Sequence, residues 1–445
     1  MKIGFIPIDN RPVCYTLPKL VAQIDKSLEL ILPERSLLGD LVKQANVQVL
    51  FQWMKNLDDV DAFVISLDTL AYGGLVSSRR CSESFDEIKK RLDLLKPLLF
   101  GKKVYAFSSI MRISNNNVNE EEKSYWDRWG KKIFEYSWNL HKYGAFAVSN
   151  SEIPSEILSD YLAIRKRNFE INKIYLEWQK EGVFDTLIFS KDDCAEFGFN
   201  VQEANLLKAL GATIKTGADE IPLSLLARAI EYQADIKPVF VEPSQIHLIS
   251  NYEDISINES VKNQIELAGF NLSADAETTI LINNFVEKQG EIVMKVPTKN
   301  FSGELNSWGE FSAVADVRFT NGADNCLVEK LFECGYLENL LCFSAWNTSA
   351  NSLGSLMLAL KVILSSKSKK TFNKYAFDKF MLTRFLDDWA YQANVRQQLI
   401  SVDQNELRNL MKPFEKRLLS YYSFEGKINY SFPWNRLFEV EIEFI

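Results

Sequence analysis

Two histidines, His141 and His247, are all that a chain of 445 residues carries, and its six cysteines, at 14, 81, 194, 326, 334 and 342, include no C-x-x-C pair. Zinc-finger, zincin, haem and histidine-dependent triad chemistry therefore lack their parts. The start of the chain, Met1 to Ile8, has the pattern of a core strand and leaves no room for a signal peptide. Reduced cysteines and a cytoplasmic location are therefore expected. No apolar run approaches the roughly 20 residues of a spanning helix, so a membrane partner is not expected. Gly73-Gly74 permits close backbone approach, but neither G-x-G-x-x-G nor G-x-x-x-x-G-K-[ST] follows, and nucleotide binding has no motif there. A segregated basic surface is missing too. The 51 Lys and Arg are spread along the chain and outnumbered by 59 Asp and Glu, for a net charge of -8, which argues against a nucleic-acid partner.

What remains is a folded, mildly acidic chain, 47% hydrophobic and 25% charged, whose chemistry must use carboxylates, arginines, amides, hydroxyls and aromatic rings. Apolar runs of four to seven residues alternate with amphipathic stretches, the rhythm of parallel strands joined by helices. Strands are expected at 2–8, 28–32, 62–67, 103–108, 186–190, 238–242, 278–283, 313–319 and 340–344. Helical spacing fits 48–57, 85–98, 201–210 and 221–233. Two longer helices are expected, from about Asn119 to Tyr143 and from Ser155 to Glu181. The first would start on an Asn cap followed by three glutamates, with Trp126, Trp129 and Ile133 as a core stripe. From Lys367 the text turns helical, over 371–399 and 404–419, and an aromatic tail from Tyr421 is expected to pack back on the body. The fold class is thus α/β, with parallel-sheet Rossmann-like lobes at 1–180 and 181–366 and a helical C-terminal region at 367–445. An α/β barrel is the alternative. A short echo, Lys-Thr-Gly-Ala-Asp-Glu at 215–220 and Thr-Asn-Gly-Ala-Asp-Asn at 320–325, suggests two related loops.

In open parallel sheets ligands bind outside the carboxyl ends of the strands, and here those positions are polar. Asp9, Asn10 and Arg11 follow the first expected strand. Asp68, Tyr72 and Arg79 follow the third, and Ser109 and Arg112 the fourth. Later come Asp192 and Asp193, then Asp219 and Glu220, Asp324, and Trp346 and Asn347 with Asn351. Asn168 lies on a polar stripe of the second long helix with Arg165 and Asn172. Each has a plain structural reading beside the functional one: Asp and Asn cap helices and build turns, and arginines beside acids form ion networks. Asp192-Asp193 is the most catalytic-looking pair, because adjacent loop acids can differ in burial and so in pKa.

Several phrases taken together resemble a bacterial domain-of-unknown-function family, number 4127. They are Pro7-Ile8-Asp9-Asn10-Arg11-Pro12, Ser66-Leu67-Asp68 leading into Tyr72-Gly73-Gly74-Leu75, Ser108-Ser109-Ile110-Met111-Arg112, Lys191-Asp192-Asp193, Gly217-Ala218-Asp219-Glu220 and Trp346-Asn347-Thr348. The match is colinear and extends to Pro433-Trp434-Asn435-Arg436. Asn10 and Lys191 stand where the family pattern often has an acid or polar residue and a glutamine. The resemblance implies no secure activity.

From the residues themselves, the expected function is a carbohydrate-active hydrolase cleaving a glycoside or related polyol. Asp9, Asp68, Asp192 and Asp193 would supply the catalytic carboxyls, and Asn10, Arg11, Tyr72, Arg79, Ser109, Arg112, Asn168, Asp219, Glu220, Asp324, Trp346, Asn347 and Asn351 would hold the substrate. The expected partner is a sugar-like small molecule, with no cofactor. Two alternatives stand beside it: a hydrolase in which the aspartates bind Mg²⁺ or Mn²⁺, and a non-enzymatic sugar or acid binder that closes two lobes on its ligand.

Overall fold

The computed structural model describes residues 1–57, 59–192 and 194–445. It divides into two compact units, each assembled from separated stretches of chain. The first comprises Met1–Asn10, Leu30–Pro222 and Tyr252–Asp254; the second comprises Arg11–Glu29, Leu223–Asn251 and Ile255–Ile445.

The first unit is built on six strands, β1 (Lys2–Ile6), β2 (Glu29–Ile31), β3 (Ala62–Ser66), β4 (Val104–Ile110), β5 (Thr186–Lys191) and β6 (Ile214–Thr216), in the order β2-β1-β3-β4-β5-β6. β1, β3, β4, β5 and β6 pair in parallel. Every residue of β3 is buried, as expected of a strand covered on both faces, which is why such strands read as unbroken apolar runs. Helix Phe85–Leu99 opens on a capping box in which Ser84 and Glu87 satisfy each other's backbone amides. Because β5 and β6 extend this sheet, the unit runs well past residue 180, where the sequence suggested a boundary.

The first long helix is Trp126–Tyr143, not a helix from Asn119. Glu120 to Glu122 form a loop instead, because Arg80 donates to the backbone carbonyls of Asn119 at 3.1 Å, Glu122 at 2.9 Å and also Glu120. A guanidinium that takes three carbonyls competes successfully with one helical turn. Trp126 and Ile133 are buried in one core cluster with Tyr161 and Ile164, and Trp129 packs against it, so the stripe is core. The second long helix is Ser155–Lys180.

The second unit carries β7 (Asp235–Phe240), β8 (Asn271–Leu272), β9 (Thr278–Asn283), β11 (Ala313–Asp316) and β13 (Cys342–Ser344), in the order β13-β11-β9-β7-β8. Two short strands, β10 (Gly290–Glu291) and β12 (Phe319–Thr320), pair beside it. Numbered within its own sheet, this unit has the order 2-1-3-4-5, and the first unit has the same order with a sixth strand added. The Gly-Ala-Asp echo does not follow from that likeness: one copy follows β6 of the first sheet, the other follows the small strand β12. Helix Ser349–Lys369 is buried along most of its length. The expected helix 371–399 is an α-helix, Lys374–Arg384, running into a π-helix, Phe385–Val395. The tail forms an antiparallel hairpin, β14 (Ile428–Ser431) with β15 (Glu441–Phe444). Tyr430, Phe432, Val440 and Ile442 are buried, whereas Trp434 is only partly so.

Candidate functional site

With strand order 2-1-3-4-5 the direction of winding reverses at the first and third strands of a sheet, and their carboxyl ends frame a crevice. In the first unit that point is the exit of β1 and β3. Thr69 Oγ1 donates to the carbonyls of Pro7 at 2.7 Å and Ile8 at 3.1 Å. This bond draws the short helix Leu67–Tyr72, capped by Ser66, onto the loop that carries Asp9. The loop is fixed further by Asn10, whose amide bonds Gly39 O at 3.1 Å and whose carbonyl accepts from Arg35 at 2.8 Å.

Asp68 sits in the first turn of that helix, 1% exposed. One carboxyl oxygen accepts from the Ser109 amide at 2.8 Å, so β3 and β4 jointly hold it. Burial pushes its pKa up to about 7, against the opposing effects of the Ser109 hydrogen bonds and the Arg79 charge. Asp68 is thus a carboxyl that carries a proton in a large share of molecules at neutral pH.

Asp9 and Asp219 each place a carboxyl oxygen within 4.8 Å of the other. β1 and β6 are four strand spacings apart, about 19 Å at the usual 4.8 Å per strand. The segment after β6 must therefore fold back across the carboxyl ends of the intervening strands. Its turn needs Gly217, whose φ is +118° and whose added Cβ would lie 1.6 Å from Glu220 Oε1. Glu220 is fully buried, accepts from the Ala218 amide at 3.0 Å, and is held well above the usual carboxylate range by burial, with Asp219 and Glu253 adding to the effect. Beside it, Lys191 pairs with Asp254, which also accepts from Thr216 Oγ1 at 2.8 Å. The Gly217 amide donates to Lys191 O at 2.8 Å.

The arginines of this unit are matched by acids. Arg79 meets Glu121 at 3.2 Å and Glu122 at 3.3 Å, and Arg112 meets the same two at 3.0 and 3.2 Å. Asn168 is committed to structure: its amide donates to Ser78 O at 3.0 Å and accepts from Arg167. Tyr72 is buried under the Arg167 guanidinium, 5.3 Å from the ring centre. Asp192 directly follows β5, its carbonyl accepting from Asn200 at 3.3 Å. Asp193 lies outside the described residues.

The remaining sequence candidates belong to the second unit. Arg11 pairs with Glu439 at 3.4 Å and lies 5.2 Å from the Trp434 ring. Asp324 caps helix Asn325–Glu333 and accepts from the Phe301 amide at 2.6 Å. Trp346 is buried, Asn347 adopts φ +56° and accepts from the Asn321 amide at 2.9 Å, and Asn351 stands in the first turn of helix Ser349–Lys369. Hence Asp9, Asn10, Asp68, Ser109, Asp192, Asp219 and Glu220 share the carboxyl edge of the first unit, while Arg11, Asp324, Trp346, Asn347 and Asn351 do not belong to that unit. Thr69, Lys191 with Asp254, and Glu253 are members of the edge that sequence reasoning passed over. Their signal was adjacency: Thr69 follows Asp68, and Lys191 precedes Asp192.

The first unit is thus an open α/β sheet of parallel strands with carboxyls, amides and hydroxyls collected at its switch point. The chain belongs to the family described as "Protein of unknown function (DUF4127)", which matches residues 3–443. No curated protein matches it. Among the described residues no helix is long and apolar enough to cross a membrane.

Proposed function

We propose that the carboxyl edge of the first unit is the active site of a hydrolase that cleaves a glycoside or related polyol by carboxylate acid/base catalysis. Asp68 is the proton donor to the leaving oxygen. Asp9, with Asp219 beside it, is the second carboxyl. The observation that carries this reading is the buried Asp68 at the switch point, with its pKa pushed up to about 7, the condition a general acid needs at neutral pH. The acid-rich surroundings oppose a polyanionic substrate, and Arg79 and Arg112, already matched by Glu121 and Glu122, add little to attract one. Short hydrogen-bonding groups such as Ser109, Asn10 and Asp192 suit hydroxyls. The cysteines, none in a disulfide among the described residues, fit a cytoplasmic enzyme.

A panel of chromogenic glycosides tests the reading. Asp68→Asn should lower turnover of any accepted substrate by about 10²- to 10⁴-fold while the protein stays folded. Full activity in that variant removes Asp68 from the chemistry. A second reading, a divalent-metal hydrolase, is favoured by the Asp9–Asp219 approach, since two carboxyl oxygens within 4.8 Å can share one oxygen-coordinated cation. Turnover abolished by chelator and restored by Mg²⁺ or Mn²⁺ selects it.

A further inference from the structure

Two phenol hydroxyls are buried behind Asp68. Tyr72 is 2% exposed and Tyr175 fully buried, and neither hydroxyl has a hydrogen-bond partner among the described residues. A dry, unpaired buried hydroxyl costs about 1–3 kcal/mol, so two in one neighbourhood call for an explanation.

Their positions supply it. Asp68 and Tyr72 are four residues apart on one short helix and so share a face. Tyr175 stands three residues after Asn172 on helix Ser155–Lys180. Asn172 faces β4, its amide donating to Ser109 O at 3.2 Å and accepting from Ser108 Oγ at 2.7 Å. Ser109 is in turn the residue whose amide holds Asp68. Helix spacing thus sets both tyrosines beside the place where β4 meets the Asp68 carboxyl, and each lies within electrostatic reach of it: Asp68 raises the pKa of Tyr72, and Tyr72 and Asp68 both raise that of Tyr175. Two hydroxyls and a carboxyl supply the two to four polar partners that an internal water needs.

We propose that Tyr72 and Tyr175 share one internal water with Asp68, and that this water-linked set fixes the Asp68 carboxyl at the carboxyl edge of the sheet. Tyr72 and Tyr175 are then positioning residues, acting through Asp68. The inference rests on the hydrolase reading for its purpose, but not for its test. Crystal structures of the wild-type protein and of Tyr72→Phe, together with carbon NMR titration of the Asp68 carboxyl in both and in Tyr175→Phe, decide it. The expected result is water density between the two phenols in the wild type and its loss in Tyr72→Phe. In both variants the Asp68 midpoint should move upward by about one pH unit, since the carboxylate loses a water that donated to it. Absence of that density, or an unchanged midpoint in both variants, overturns the proposal. A wild-type midpoint near that of an ordinary aspartate would instead overturn the hydrolase reading, so the two failures are distinct. Phenylalanine keeps the ring, so both variants retain the packing.

Discussion

The two units share a strand order and place the same residue types after their strands, yet they use them differently. In the second unit the polar groups tie one another down. Arg318, 1% exposed, donates to Asn283 Oδ1 at 2.9 Å, to Lys299 O at 2.8 Å and to Glu242 at 3.0 Å. Asn283 donates to Asp316 at 2.8 Å, and Asp316 accepts the Asp324 amide at 2.6 Å. Asn284 exchanges two 2.9 Å bonds with the Glu242 backbone and so stitches the exits of β7 and β9, the counterpart of the first unit's switch point. Like charges meet in both units: in the second Asp324 crowds Asp316, but within the Arg318 network, whereas in the first Asp9 approaches Asp219, and Glu220 is crowded by Asp219 and Glu253. Gathering acids in a buried place opposes folding, and groups perturbed in this way concentrate at functional sites. Topology alone therefore does not mark a site. The balance of charge and hydrogen bonds at the switch point is what supports the site proposed above.

The comparison breaks most visibly at Arg318. Arg318→Ala should destabilise the protein by about 3–5 kcal/mol, because Asp324 is left buried without its cation. Urea unfolding measures it, and a loss below about 1 kcal/mol would show that the second unit's network is not structural. Asp68→Asn offers the contrast in the first unit: an amide removes a costly buried charge, so the melting temperature should hold or rise while turnover falls.

A smaller effect sharpens the same point. Lys361, also in the second unit, is buried and donates to the carbonyls of Tyr232 at 2.8 Å and Gly269 at 2.9 Å, with its pKa lowered to about 8 by burial first and the Arg228 charge second. Between about pH 8 and the ordinary lysine value near 10.4 the unfolded chain binds more protons at this position than the folded one. Its contribution to stability therefore rises with pH across that window. Lys361→Met should flatten the rise in denaturation curves taken from pH 8 to 10, and an identical slope in the variant would contradict a buried, tethered lysine.

Much of this was legible in the sequence. The apolar runs at 62–67, 186–190 and 278–283 became β3, β5 and β9 within a residue at each end, because fully buried strands admit little else. Asp68 was visible as an acid ending such a run. Other parts depend on distant chain. The three glutamates at 120–122 resemble a helix start, and only the arrival of Arg79, Arg80 and Arg112 turns them into a loop. Arg11 looks like a neighbour of Asp9 until Glu439, 428 residues away, claims it for the second unit. The three-residue β6 is too short to carry a period, and it is β6 that sends Asp219 back across the sheet.

The central claim is that Asp68 is a proton-holding carboxyl at the first unit's switch point. Carbon NMR titration of the Asp68 carboxyl in the intact wild-type chain, assigned by its loss in Asp68→Asn, tests it most directly. Because its folded pKa lies above the unfolded one, the stability it contributes is full below about pH 4 and is lost as the pH rises through its midpoint. A midpoint near 7 is the expected result; a midpoint near the ordinary aspartate value of about 3.9 would contradict it.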